Sequence, residues 1–273
     1  MKRTVCFLIV VLIFLPIFAF AAEESTLTSA AEELKIISAT PQGDLNSLDD
    51  SKAITITFNR PVVALSGVEK DVREGPIVIN PAVTGTYRWM GTSTLSFIPD
   101  EKLAYSTRYV VQVNAPITSV DEVAMTKDFT FSFVTPRPQV KQVFPYQNQN
   151  QITLEQPIFI EFNQSMDIKK AAQFVTLTSE GGTETPVMVS FPDEEDVKQN
   201  RPYWVDEITD TILKIIPQQK LAIETPYSLR FKAGLPGKTG TLGMKQTYEL
   251  KFRTYNYFRA EGIRPGSYMC PDE

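Results

Sequence analysis

The 273-residue sequence predicts an all-β chain, a signal peptide followed by two tandem sandwiches of antiparallel sheets. Three observations predict it. Short stretches alternate apolar and polar residues with a period of two, the pattern of a strand with one buried face. A whole series of such strands occurs twice. Turn residues, not amphipathic helical runs, separate the strands, so the crossover helices of a parallel α/β fold have no place.

The chain opens with basic Lys2 and Arg3, then an apolar run from Val5 through Phe18. Ala19-Phe20-Ala21 offers small residues at the two positions a signal peptidase reads, and polar Glu23-Glu24-Ser25 follows. Residues 1–21 therefore read as a signal peptide, and the protein as periplasmic or extracellular. An uncleaved anchor is the competing reading, because the run approaches spanning length. Pro16 and the Ala-x-Ala site favour cleavage, which leaves no membrane span. Cys6 lies inside the apolar run, not in a lipobox. Residues 22–35, rich in Ser, Thr, Ala and Glu, read as a tether of partly helical character.

The first sandwich is placed at residues 36–136. Ile54, Ile56 and Phe58 alternate with Thr55 and Thr57, and the alternation returns at Leu95/Phe97, Tyr109/Val111/Val113 and Phe129/Phe131/Phe133. Val83, Gly85, Tyr87 and Trp89 fall on one strand face, which assigns Trp89 to the core. Pro136-Arg137-Pro138 marks the joint, where proline stiffens the chain and allows modest flexing. The second sandwich, residues 137–255, repeats the first. Ile158-Phe159-Ile160-Glu161-Phe162-Asn163 answers Ile54-Thr55-Ile56-Thr57-Phe58-Asn59 at an offset of about 104 residues, as Pro145 answers Pro41. Pro217-x-x-Lys220-Leu221-Ala222-x-x-Thr225-x-Tyr227 answers Pro99-x-x-Lys102-Leu103-Ala104-x-x-Thr107-x-Tyr109 at about 118, so the second copy has a longer middle. Strands recur at Leu213/Ile215, Tyr227/Leu229/Phe231 and Tyr248/Leu250/Phe252. Many short strands with turn punctuation indicate immunoglobulin-like sandwiches. The tail, 256–273, loses the pattern and reads as the possible start of a further domain.

Composition excludes several functions. The chain has no histidine, which removes Ser-His and Cys-His catalysis and histidine-ligated metals. Cys270 is the single thiol beyond the signal peptide, so no internal disulfide or cysteine metal cluster is expected, and an intermolecular bond is one reading. The net charge of -5 becomes -7 without Lys2 and Arg3, and no basic stripe suits nucleic acid. Gly234-Leu235-Pro236-Gly237-Lys238-Thr239-Gly240 contains Gly-Lys-Thr without the upstream glycine of a phosphate loop, and reads as a hairpin loop. Asp193-Glu194-Glu195-Asp196 and Asp49-Asp50 are acidic runs; calcium is conceivable, but EF-hand spacing is missing and a solvated loop insertion fits better. No catalytic, cofactor or metal residue is assigned, and the chain is not expected to be an enzyme. Tyr203-Trp204 is the candidate contact for a glycan or a protein.

Phe58-Asn59-Arg60-Pro61-Val62, Ile79-Asn80-Pro81-Ala82-Val83-Thr84-Gly85-Thr86-Tyr87-Arg88-Trp89 and Leu95-Ser96-Phe97-Ile98-Pro99 resemble the N-terminal region of bacterial alpha-2-macroglobulins. In the second copy Ala233-Gly234-Leu235-Pro236, Gly240-x-Leu242-Gly243 and Phe252-Arg253-Thr254-Tyr255 resemble the next stretch of those proteins. Each module is also similar to bacterial Ig-like domains of surface-layer and adhesive proteins. The resemblance spans residues 36–255. It implies macroglobulin-like sandwiches in a large envelope protein that traps proteases with a string of domains, a bait region and often a thioester. The Cys-x-Glu-Gln thioester motif does not occur, since Cys270 is followed by Pro-Asp-Glu, so no functional residue is carried over. The implied partners are proteases or further domains of the same chain, and the implied chain is an N-terminal piece or a shortened relative.

Overall fold

The computed structural model describes residues 33–68, 70–200 and 202–257. Residues 1–32, with the expected signal peptide and most of the expected tether, and the tail from residue 258 with Cys270 lie outside the described residues.

In the first module one sheet runs in the order Ile36–Thr40, Ile54–Phe58, Thr94–Pro99, Gly85–Trp89, Asp71–Val72. The facing sheet runs Gly43–Asp44, Phe129–Val134, Arg108–Val113, Ile77–Asn80. The alternating apolar residues meet between them: Ile54, Ile56 and Phe58 from one sheet, Val111, Val113 and Phe133 from the other, all buried. Gly85 has no alternative residue, because a Cβ there would lie 2.4 Å from the Phe97 ring and 2.5 Å from the Ile98 carbonyl oxygen. Trp89 packs on the edge of this core, its ring 6.1 Å from that of Phe58. Leu34, which the sequence reading places in the tether, is fully buried in the same core.

The second module has the same plan. Val140–Phe144, Ile158–Phe162, Ile212–Pro217 and Val187–Ser190 form one sheet; Gln149–Ile152, Tyr248–Thr254, Pro226–Phe231, Val175–Ser179 and Glu184–Thr185 form the other. A separate apolar core fills it, with Ile158, Ile160, Phe162, Leu229, Phe231 and Leu250 buried.

Neither sandwich is wholly antiparallel. Gly43–Asp44 pairs in parallel with Phe133 and Val134, and Gln149–Ile152 with Phe252 and Thr254. The cause is a sheet switch. In each module the entering chain pairs first with one sheet (Ile36–Thr40, Val140–Phe144), passes Pro41 or Pro145, and ends beside the last strand of the other.

The longer middle of the second module holds two short helices that the strand pattern does not announce. Ile168–Phe174 is capped by Asp167, whose carboxylate accepts the N–H groups of Lys169 at 2.9 Å and Lys170 at 3.2 Å. Glu194–Asn200 contains most of the acidic run read as a loop. It is a helix because Asp193 and Asp196 cap it reciprocally, each carboxylate accepting the other's backbone N–H at 2.8–2.9 Å. This helix is tied to the sheet by the Asp196–Lys214 ion pair and by Gln156, whose amide donates to Asn200 Oδ1 at 3.0 Å. Phe159 lies on the strand beside Lys214, opposite it in the register. Unlike Ile158 and Ile160, it points away from the core by alternation, yet it is fully buried.

Candidate functional site

The duplicated motifs build duplicated polar joints. In Leu103-Ala104-x-x-Thr107-x-Tyr109 the Tyr109 hydroxyl accepts the Ala104 N–H at 3.1 Å, and in the second copy Tyr227 accepts the Ala222 N–H at 2.8 Å. This is the tyrosine corner of immunoglobulin-like sandwiches. The threonine closing each module completes it: Thr135 Oγ1 donates to the Ala104 carbonyl and Thr254 Oγ1 to the Ala222 carbonyl, both at 2.7 Å. Asn59 and Asn163 are a second matched pair. Each side chain accepts one entering N–H, of Lys35 at 2.8 Å or Gln139 at 2.9 Å, and donates to an entering carbonyl, of Glu33 or Arg137. The motif residues thus hold the fold.

The joint between the modules is enclosed, where the sequence reading allows modest flexing. The Pro136 carbonyl accepts the Ser106 N–H at 3.0 Å and lies 3.5 Å from the Gln164 amide nitrogen, while Ser106 Oγ donates to Gln164 Oε1 at 3.1 Å. Ser106 and Gln164 are buried. The residues that follow the hairpin loop 234–240 complete the bracket: the Ser106 carbonyl accepts the N–H groups of Thr241 at 3.1 Å and Leu242 at 2.9 Å. Gly240 permits this approach, since its φ is +75° and a Cβ would stand 2.2 Å from the Tyr105 carbonyl oxygen. Lys245 pairs with Asp44 across the joint.

Beside that ion pair lies a cleft of about 460 Å³ between the modules. Hydrogen bonding to Lys245 holds the Asp44 carboxyl below its ordinary value, with help from the charges of Arg137 and Arg108. The Arg137 Nε is buried there without a hydrogen-bond partner. Neither the joint nor this cleft was among the sequence-predicted sites. The residues come from widely separated segments, and Pro-Arg-Pro marks only the joint.

Tyr203 and Trp204 part company. Tyr203 is 76% exposed, and its ring stands 6.0 Å from that of Tyr146, itself 39% exposed. Trp204 is half-buried, with its indole nitrogen covered and unpartnered. Tyr146 escaped the sequence reading, although a signal exists: its counterpart at the repeat offset is Gln42, and that of neighbouring Phe144 is Thr40. Asp49 and Asp50 lie in a 3₁₀ turn capped by Ser47, and Asp49 pairs with Lys52 at 2.8 Å. Among the described residues no group of three or more Cys, Asp or Glu could hold a metal ion. No described helix is long and apolar enough to cross a membrane.

No curated protein matches the chain. Solved structures match the chain at low identity and low TM-score. The L,D-transpeptidase from Mycobacterium tuberculosis H37Rv is 13% identical with a TM-score of 0.25, over 59% of this chain and 59% of its own. The N-terminal part of the bacterial S-layer protein SbsC is 11% identical with a TM-score of 0.29, over 82% of this chain and 45% of its own. Native alpha-2-macroglobulin from Escherichia coli, spanning domains MG0-NIE-MG1, is 12% identical with a TM-score of 0.27, over 83% and 73%. Scores this low carry no argument, and the chain spans less than two thirds of the first two proteins. The model of the bacterial Ig-like domain matches residues 30–135 and again 134–254. With its two cores, its tyrosine corners and these matches, the chain belongs to the bacterial Ig-like domain family, in two tandem copies.

Proposed function

We propose that the chain is a non-catalytic, rigid segment of a macroglobulin-type protein that traps proteases in the bacterial envelope. The bracketed joint carries this reading. Two modules locked by Ser106, Gln164 and the 237–242 segment act as one strut, which suits a protein that must hold a cage of domains in shape. The resemblance of Val83-Thr84-Gly85-Thr86-Tyr87-Arg88-Trp89 and its partner motifs to bacterial alpha-2-macroglobulins supplies the class of protein, and the basic and apolar start supplies export. The partners are then proteases and further domains, not nucleic acid. The test uses the whole exported gene product, incubated with a serine protease. Trapping predicts that cleavage of a large protein substrate falls sharply while cleavage of a small chromogenic peptide persists. Undiminished cleavage of both, or equal loss of both, rejects it.

A second reading is favoured by one observation, the exposed Tyr146–Tyr203 pair. Two tyrosine faces at the surface can stack on sugar rings or grip a protein chain, so the segment would serve as an envelope adhesion module. Binding of the mature chain to peptidoglycan or polysaccharide, and its loss in Tyr203→Ala, would support it. Binding unchanged in Tyr203→Ala and in Trp204→Ala removes the site.

A further inference from the structure

We propose that the cleft at the module joint binds an organic carboxylate, of the kind a peptide C-terminus or an acidic side chain presents, with Arg137 as its principal anchor and Lys245 beside it. The inference is independent of the protease-trapping reading.

Three features point to this ligand. The first is an incomplete charge. The Arg137 Nε is buried without a hydrogen-bond partner, and among the described residues no carboxylate stands within ion-pairing distance of its guanidinium. Asp44, the acidic group of the cleft, is engaged by Lys245. Burying a guanidinium in part without an anion is unfavourable, and buried polar atoms are nearly always paired. The second is the local field. Arg108, Arg137 and Lys245 all act on the single carboxylate of Asp44, so this corner carries excess positive charge in a chain of net charge -5. The third is the wall. Leu45, Pro138, Met244 and Tyr248 give the cleft an apolar side, and Gln139 and Gln246 bring amides. A guanidinium fork matches a planar carboxylate through two parallel hydrogen bonds. An apolar wall with amides beside it suits the carbon chain and peptide group behind that carboxylate, which a bare phosphate lacks. The volume of about 460 Å³ is within the usual range of small-ligand pockets.

The test is an NMR titration of the mature chain with N-acetylglutamate, acetate and inorganic phosphate in parallel. N-acetylglutamate is expected to shift the Arg137 Nε–H and Tyr248 resonances saturably, acetate more weakly and phosphate least. Arg137→Gln should weaken N-acetylglutamate binding about tenfold or more, and Arg137→Lys, which keeps charge without the fork, should fall between. Lys245→Gln should weaken it several-fold, since Asp44 would then face the ligand unpaired. Should Arg137→Gln fail to fold by circular dichroism, Lys245→Gln alone decides. Absence of saturable shifts, unchanged affinity in a folded variant, or phosphate binding as tight as N-acetylglutamate each overturns the proposal.

Discussion

The two modules share a strand plan, a tyrosine corner and an asparagine clamp, yet one is a two-layer sandwich and the other carries a partial third layer. The difference begins at one position. Thr55 faces outward in the first module and is only half-buried, as a solvated sheet face requires. Its counterpart, Phe159, is fully buried, on the strand position opposite Lys214, the residue that pairs with Asp196 of Glu194–Asn200. Duplicated cores are therefore interchangeable in design, while the outer faces of the sheets are where the copies diverged. The same holds at the left-handed positions Ser106 (φ 56°) and Glu224 (φ 55°). Each donates its backbone N–H at 3.0 Å to the carbonyl just beyond its module's last strand, of Pro136 or Tyr255. The Ser106 carbonyl in turn accepts from Thr241 and Leu242 of the second module.

The sharpest test of this contrast pairs two truncations. Phe159→Ala should destabilise the second module by about 3–5 kcal/mol, whereas Thr55→Ala should change the first by less than about 1 kcal/mol, both read from urea denaturation. Similar losses would erase the distinction between the outer faces. Next in size is Gly240→Ala. A side chain at φ +75° against the Tyr105 carbonyl should cost about 3 kcal/mol of stability. It should also broaden the distribution of inter-module angles seen by small-angle scattering, while the core resonances of both modules stay in place. A smaller and symmetrical effect is expected at the corners. Tyr109→Phe and Tyr227→Phe should each lose about 1–2 kcal/mol, because each leaves an Ala N–H without its acceptor. Unequal losses would show that the copies use the motif differently.

The smallest effect is on pH. Burial raises the Asp196 carboxyl, but hydrogen bonds from Lys214 and the Asp193 backbone, with the Lys214 charge, outweigh it and hold the group below its ordinary value of 3.8. A depressed carboxyl stabilises the fold above its unfolded value, and that contribution disappears as pH falls through the folded one. The insertion should therefore loosen below about pH 3.8. Trp204 fluorescence would report the change, and Asp196→Asn should remove it without affecting the first module.

Period-two alternation made the cores legible, since Ile54/Ile56/Phe58 and Tyr248/Leu250/Phe252 carry the pattern of one buried face in a run of a few residues. The repeat made the architecture legible. Three things were not. The parallel edge strands are too short for a period, and Gly43–Asp44 is only two residues long. The third layer had one trace, an apolar Phe159 where the first copy has threonine. The joint was hidden because its partners, Ser106, Gln164 and Gly240, are neighbours only after both modules have folded. A hydrogen bond between residues 58 positions apart leaves no periodicity to read.

The parallel pairs at the module edges have a mechanical consequence. In each sandwich a segment of the entering chain lies alongside the departing strand and points the same way. Tension applied to the two ends of a module therefore slides these segments past one another lengthwise. Their hydrogen bonds are loaded together and must yield together, where an antiparallel edge pulled from one end would unzip bond by bond. A chain of such modules is suited to transmitting a pull along its length without opening.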